Sequence, residues 1–90
     1  MTSERFNHLY SVRDRVSGTY SEPYMFYGEQ DMRRKIATAY CKNPFSNDLE
    51  VYSVGCYDPL TGVIVTSPEA PIFVQNVVDI IKEYTDNAQA

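Results

Sequence analysis

The sequence predicts an α+β fold: a small antiparallel sheet of three to four strands with two helices packed on one face, in the order β-(β)-α-β-β-α. Three patterns predict it: strict alternation over residues 9–16, an apolar stripe at helical spacing over 29–42, and a hairpin signal at 58–62. Ninety residues of which 43% are hydrophobic and 22% charged predict a single domain over 1–90. We expect residues 1–7 and 86–90 to be frayed tails.

The first strand is predicted over residues 9–16, where apolar and polar side chains alternate. The two sides are Tyr10, Val12 and Val16 against Ser11, Arg13 and Arg15. A turn at Ser17 and Gly18 follows. Residues 20–27 are rich in aromatic side chains but contain Pro23, which has no N–H to donate. This segment is therefore expected to be an edge strand or an extended loop.

Residues 29–42 are predicted to form the first helix. Met32, Ile36, Ala39 and Tyr40 recur at helical spacing and form one apolar stripe. Acidic residues lie in the first turn, where the helix dipole favours them. Pro44 ends the helix, because the residue before a proline avoids the α conformation.

The second half of the chain is predicted to hold a β-hairpin and a second helix. The hairpin strands are 49–57 and 62–66, and Pro59 and Gly62 suit the turn between them. Residues 67–71 carry two prolines and are expected to be a linker without strand pairing. The helix is predicted from Ile72 or Phe73 to Tyr84. Its apolar face is Val74, Val77, Val78, Ile81 and Tyr84.

The residue types present do not suggest an active site or a metal site. His8 is the only histidine, and no Gly-rich loop or nucleophile motif accompanies it. Cys41 and Cys56 are the only cysteines; we expect two reduced, buried thiols, with a disulfide as the less favoured alternative. A protein zinc site needs three or four ligands. The sequence therefore predicts a non-enzyme without metal or cofactor.

Net charge is −4, and the charge is unevenly distributed. Residues 1–42 carry +2 and residues 43–90 carry −6. Proteins bind single-stranded nucleic acid with cations and aromatic planes. Such a surface is predicted here from the basic run on the first helix, the two arginines of the first strand and a tyrosine near them. The alternative is an ordinary solvated helix face. The candidate residues are Arg13, Arg15, Arg33, Arg34, Lys35 and Tyr20.

Several short strings occur together in an order that resembles a known family. They are the stretch 9–23 (LYSVRDRVSGTYSEP), Asn43-Pro44-Phe45, Tyr52-Ser53-Val54-Gly55 and the turn 58–62. In this order they resemble the small nonstructural protein of gokushovirus-type microviruses, which are single-stranded DNA phages. The resemblance covers about residues 9–66 and, more loosely, the last helix.

The resemblance implies a nonstructural phage protein in the bacterial cytoplasm that acts in genome replication or packaging. Single-stranded DNA and the phage replication or packaging proteins are the implied partners. Direct DNA binding and adaptor work through protein contacts both stay open, because the chain is acidic. A further alternative is a homodimeric interaction module that touches no nucleic acid, since exposed sheet edges favour pairing. No membrane segment is expected.

Overall fold

The computed structural model describes residues 7–89, which form six strands, two α-helices and one 3-10 turn (Ser46–Asp48). The strands are β1 (Asn7–Asp14), β2 (Thr19–Tyr20), β3 (Tyr24–Phe26), β4 (Leu49–Tyr57), β5 (Ile64–Val65) and β6 (Ile72–Asn76), and the helices are α1 (Glu29–Tyr40) and α2 (Val77–Gln89). The α+β class, the antiparallel pairing and the two helices are as predicted. The sheet has six strands instead of three or four.

The two long strands β1 and β4 form the centre of the sheet and pair along their whole length. The short strands β2 and β3 both pair with the outer side of β1. On the other side of the sheet, β5 and β6 both pair with β4. Every pair is antiparallel, and irregularities in register occur at Leu9/Tyr10 and at Val51/Tyr52.

Both helices pack on one face of this sheet and bury the core. The buried apolar side chains are Tyr10, Val12, Phe26, Met32, Ile36, Ala37, Leu49, Val51, Val77 and Ile80. Helix α1 buries Met32 and Ile36, as its apolar spacing predicts. Ala37 is buried beside them, whereas Ala39 is exposed. The apolar stripe is therefore centred on Ile36.

Helix α1 begins after Gly28, and Asp31 ties its first turn to the preceding loop. The Asp31 carboxylate accepts a hydrogen bond from the Tyr27 backbone N–H at 3.1 Å and contacts the Lys35 Nζ at 3.2 Å. The Tyr27 N–H, followed by the Lys35 ammonium, lowers the pKa of Asp31 below its ordinary value. This carboxylate therefore fixes the loop before Gly28 against the first turn of α1, which has no side-chain cap.

Strand β1 spans Asn7–Asp14, so it begins and ends two residues earlier than the predicted range of 9–16. The Asp14 backbone carbonyl accepts the Gly18 N–H at 2.7 Å, and its carboxylate accepts the Val16 N–H at 2.8 Å. These bonds start a turn at Asp14. Val16 consequently lies outside the sheet and is 79% exposed, so its predicted place in the apolar row is wrong.

Residues 72–76 form strand β6 and not the start of the second helix. Ile72, Phe73 and Val74 favour strands, and pairing with β4 supplies the hydrogen bonds that a helical turn would otherwise make. Helix α2 therefore begins at Val77 and extends to Gln89, beyond the predicted end at Tyr84. Within α2, Val77 and Ile80 are buried; Val78 and Tyr84, which were predicted on the apolar face, are exposed.

The β4–β5 hairpin follows the predicted turn. The Asp58 N–H donates to the Val63 carbonyl at 2.9 Å, and the Gly62 N–H donates to the Asp58 carbonyl at 2.8 Å. Gly62 has φ of +76°, the left-handed conformation that glycine adopts without strain. Strand β5 covers only Ile64–Val65, which is shorter than the predicted 62–66.

Both cysteines are free thiols, as predicted. Cys56 in β4 is half-buried. Cys41 is exposed, because it lies directly after the last residue of α1 and outside the face that packs on the sheet. The prediction that both thiols are buried is therefore wrong for Cys41.

Candidate functional site

The face of the sheet opposite the helices, called the open face here, carries aromatic and charged side chains. In β4, Leu49 and Val51 are buried under the helices. Successive strand residues point to opposite sides, so Glu50 and Tyr52 lie on the open face. Their partners across the sheet share that face, and in β1 these include Ser11, which pairs with Tyr52.

Three aromatic rings form a row across the open face. The ring centroids of Tyr20 and Tyr52 are 5.3 Å apart, and those of Tyr52 and Phe73 are 5.6 Å apart. Both pairs are edge-to-face, with interplanar angles of 74° and 73°. Tyr20 is 45% exposed and Phe73 is 49% exposed, so both ends of this aromatic row present ring surface to solvent.

Ser11 lies in the strand between the two tyrosines. Tyr20 lies in β2 and Tyr52 in β4, with β1 between them, so their backbones are about 10 Å apart. Ser11 in β1 is only 3% exposed although it lies on the face without helices. The Ser11 hydroxyl donates to the Ser21 carbonyl at 2.7 Å and is thereby satisfied.

One ion pair lies beside the aromatic row. The Arg13 guanidinium is 5.8 Å from the Tyr20 ring centroid and 3.3 Å from the Glu50 carboxylate. The same carboxylate oxygen accepts the Tyr52 hydroxyl at 3.3 Å. Burial, followed by the charge of Glu50, raises the pKa of the Tyr52 phenol above its ordinary value. The neutral phenol donates its hydroxyl hydrogen to the Glu50 carboxylate.

A hollow of about 340 Å³ adjoins the Tyr20 end of the aromatic row. Its floor and walls come from β1, β4, the loop after β2 and the linker before β6. The lining includes Ser11, Tyr20, Pro23, Val54, Thr66 and Pro71. Mixed hydroxyl and apolar walls next to an exposed ring suit a flat, partly polar ligand group.

The residues that the sequence predicts as one site lie in separate places, and on the open face the structure brings together Arg13 and Tyr20, which are paired across β1 and β2. Arg15 lies in the turn after β1. Its guanidinium contacts the Asn47 carbonyl and lies 3.5 Å from the Asp48 carboxylate. It therefore holds the β1 turn to the segment before β4.

The basic run on α1 lies on the helix side of the sheet, away from the aromatic row. Arg33 contacts the carboxylates of Glu29 at 3.0 Å and Glu83 at 3.3 Å, and it also donates to the Gln75 side chain. Arg34 and Lys35 share the Asp31 carboxylate at 3.9 Å and 3.2 Å. The structure thus places Arg33, Arg34 and Lys35 apart from Arg13 and Tyr20.

A second cleft, of about 450 Å³, runs between the two helices. Arg33, Arg34 and Asp31 line one side, and Ile80, Glu83 and Tyr84 line the other. Its charges already neutralise one another through the Arg33–Glu83 ion pair at 3.3 Å. Although two arginines line this cleft, it is therefore poorly suited to bind an anion.

His8 and Cys56 are neighbours across β1 and β4, with 3.8 Å between the His8 Nδ1 and the Cys56 Sγ. Among residues 7–85, whose side chains the structure describes, no group of three His, Cys, Asp or Glu side chains is arranged to hold a metal ion. None of the helices within residues 7–89 is long and apolar enough to cross a membrane.

Of the three rings in the aromatic row, the sequence analysis predicted Tyr20 as a site residue but neither Tyr52 nor Phe73. Phe73 was predicted in a helix, and its true setting depends on the pairing of β6 with β4. Tyr52 could have been found, because it alternates with the buried Val51 in a correctly predicted strand. Aromatic planes on an exposed sheet surface can stack with planar groups, while the guanidinium of Arg13 beside them is already paired with Glu50.

Comparison with known families identifies the chain. The model of the family described as Phage ORF5 protein matches residues 7–80. The chain belongs to the Phage ORF5 protein family. The match to this phage protein family extends from β1 into α2 and includes all three rings of the aromatic row. No curated protein and no solved structure matches the chain significantly.

Proposed function

We propose that this Phage ORF5 family member binds single-stranded DNA on its open face, in the replication or packaging of the phage genome. The observation that carries the proposal is the aromatic row Tyr20–Tyr52–Phe73, with Arg13 beside it. Stacking of a base on an aromatic side chain contributes about 1–3 kcal/mol and tolerates any base sequence. The resemblance to the nonstructural protein of gokushovirus-type phages supports the same function.

Under this proposal the affinity comes mainly from stacking and only slightly from charge. The cations Arg13, Arg15, Arg33, Arg34 and Lys35 each lie within 4.0 Å of a carboxylate. A net charge of −4 also opposes the approach of DNA. With Arg13 as the single phosphate contact, the slope of log affinity against log salt concentration should be about −0.7. The protein acts in the host cytoplasm by binding, and it catalyses no reaction.

Fluorescence anisotropy with a labelled oligothymidylate tests the proposal at low and moderate salt. Tyr20→Ala should weaken binding by about 5- to 150-fold, the equivalent of one lost stacking contact. Tyr27→Ala is the matched control, because Tyr27 is 78% exposed but lies outside the aromatic row, beside Lys35. Absence of binding at low salt, or equal losses in the two variants, would contradict the proposal.

The second candidate function is an adaptor that joins the phage replication or packaging proteins through protein contacts. Each of these cations is paired with a carboxylate, and this pairing favours the adaptor function, because a cation that is already paired attracts a polyanion only weakly. The same titration separates the two functions. An adaptor leaves the oligonucleotide free at every salt concentration, and a purified phage replication or packaging protein binds in its place.

A further inference from the structure

The hollow at one end of the aromatic row has three serine and threonine hydroxyl groups in its walls, from Ser11, Ser21 and Thr66. Each of them donates its hydrogen to a backbone carbonyl. The distances are 2.7 Å from Ser11 to Ser21, 3.0 Å from Ser21 to Glu22 and 2.9 Å from Thr66 to Val54. A hydroxyl group has one hydrogen and two lone pairs. These three groups are therefore left as acceptors towards a ligand.

The backbone around the hollow adds few donors. Pro23 and Pro71 line it, and proline has no N–H. The Ser21 N–H donates to a carbonyl of β1 at 2.8 Å, and the Ala70 N–H donates to a carbonyl of its own linker at 3.1 Å. Apart from the phenol of Tyr20, the side chains that the structure describes around the hollow therefore offer acceptors and no free donors.

We infer that this hollow takes the base of one nucleotide and prefers a base that carries an exocyclic amino group. Cytosine presents an amino donor at the position where thymine and uracil present a carbonyl acceptor. The amino group can donate to the hydroxyl oxygens, whereas a carbonyl in its place would face their lone pairs without a hydrogen between them. The use of this preference on DNA rests on the proposed function, but the chemistry of the hollow does not.

The size and the walls of the hollow suit a single base. Its volume of about 340 Å³ is at the small end of the range for ligand pockets. Pro23, Val54 and Pro71 give it apolar surface for the faces of a flat ring. Tyr20 adjoins it and is 45% exposed, so a base that is splayed out of the strand can enter beside a base stacked on that ring. The aromatic row accepts any base, and the hollow adds a preference at one position.

Fluorescence anisotropy with labelled oligodeoxycytidylate and oligodeoxyuridylate of equal length tests this preference. Cytosine and uracil have the same size and differ in the group at carbon 4 and in the proton on the neighbouring ring nitrogen. The cytosine strand should bind about 2- to 10-fold more tightly, the equivalent of one net hydrogen bond. Equal affinities, or tighter binding of the uracil strand, would overturn the inference and leave the proposed function standing.

Ala70→Leu places a larger side chain in the wall of the hollow and should remove the preference for cytosine. Ala39→Leu is the matched control, because Ala39 is exposed on α1 and lies away from the hollow. The control should keep the preference of the wild type. A preference that survives Ala70→Leu in a folded chain would show that the hollow is not its source.

A measurement on the wild-type chain covers the case in which Ala70→Leu disturbs the fold. In NMR titrations with free nucleosides at millimolar concentration, deoxycytidine should shift the amide signals of Val54, Thr66 and Ala70 more than deoxyuridine does. Equal shifts from the two nucleosides would overturn the inference. If no oligonucleotide binds but deoxycytidine shifts these signals selectively, the proposed function fails and the amino-selective hollow is supported.

Discussion

Ser11 is a buried polar residue on the open face. It lies in β1, between the strands that carry Tyr20 and Tyr52, and is only 3% exposed although no helix covers this face. Its hydroxyl is satisfied by the Ser21 carbonyl, so burial leaves no unpaired donor. Ser11 and Ser21 thereby tie β1 to the segment that follows β2, next to the aromatic row.

Gly55 lies where the backbones of β4 and β5 approach each other closely. A Cβ at this position would lie 2.6 Å from the Val65 carbonyl oxygen, and φ is +156°. Gly55→Ala should therefore lower the free energy of unfolding by about 1–3 kcal/mol. Gly28→Ala is the control, because nothing lies within 4 Å of its Cβ position and its φ of 175° is extended.

Urea unfolding followed by circular dichroism measures both glycine variants. Gly28→Ala should stay within about 0.5 kcal/mol of the wild type. Equal stability of Gly55→Ala and the wild type would mean that β5 does not approach β4 as closely as described.

Asp31 gives the fold a defined dependence on pH. Its pKa is lowered from 3.8 by the Tyr27 N–H first and by Lys35 next, so the folded state favours the carboxylate. The resulting stabilisation is complete above the unfolded pKa and is lost as pH falls through the lower, folded value. Asp31→Asn should therefore be less stable than the wild type at pH 7, and this difference should shrink below pH of about 4.

Thermal unfolding of both proteins across that pH range measures the effect of Asp31. A stability difference that stays constant, or that grows in acid, would show that the carboxylate has no favourable partners in the folded state.

At the scale of elements, Arg33 connects α1 to both β6 and α2. It contacts Glu29 within its own helix, Gln75 in β6 and Glu83 in α2, and its side chain is 25% exposed. Arg33→Ala should cost about 1–2 kcal/mol in unfolding free energy, because three partners lose a charged donor at a partly buried site. Its effect on DNA binding should be small, since it lies on the helix side.

The neighbouring Arg34 is the control for Arg33. Its side chain is 66% exposed and its nearest carboxylate is 3.9 Å away, so Arg34→Ala should change stability by less than about 0.5 kcal/mol. Chemical denaturation of Arg33→Ala and Arg34→Ala measures the two free energies of unfolding and shows whether Arg33 stabilises the fold more than Arg34 does. Similar stability for both would mean that Arg33 is only a solvated charge.

The elements differ in how far the sequence could predict them. Strand β4 has the predicted bounds 49–57, and α1 begins at Glu29 as predicted, because local alternation and helical spacing define them. The residues of strand β6 were predicted to be helical, because a short apolar run fits the repeat of a helix as well as that of a strand. Their pairing with β4 is what makes them a strand. The site follows the same rule. Local alternation placed Arg13 on the side of β1 opposite the buried Val12, whereas long-range pairing placed Phe73.

At the scale of the whole molecule, the sheet separates two surfaces with different chemistry. One face carries both helices and the ion pairs of Arg33, Arg34 and Lys35 with carboxylates. The other carries the aromatic row and Arg13. Charge counts over the sequence could not reveal this division, because it follows from the sheet. The proposed function therefore belongs to one face alone.

The most direct test of this central claim is an NMR titration of the ¹⁵N-labelled chain with a short oligothymidylate. Binding at the open face should shift the amide signals of β1, β2, β4 and β6 next to Arg13, Tyr20, Tyr52 and Phe73. The signals of the solvent-facing side of α1, including Arg34 and Lys35, should stay in place. Shifts confined to α1 and α2, or no shifts at low salt and millimolar protein, would contradict the account.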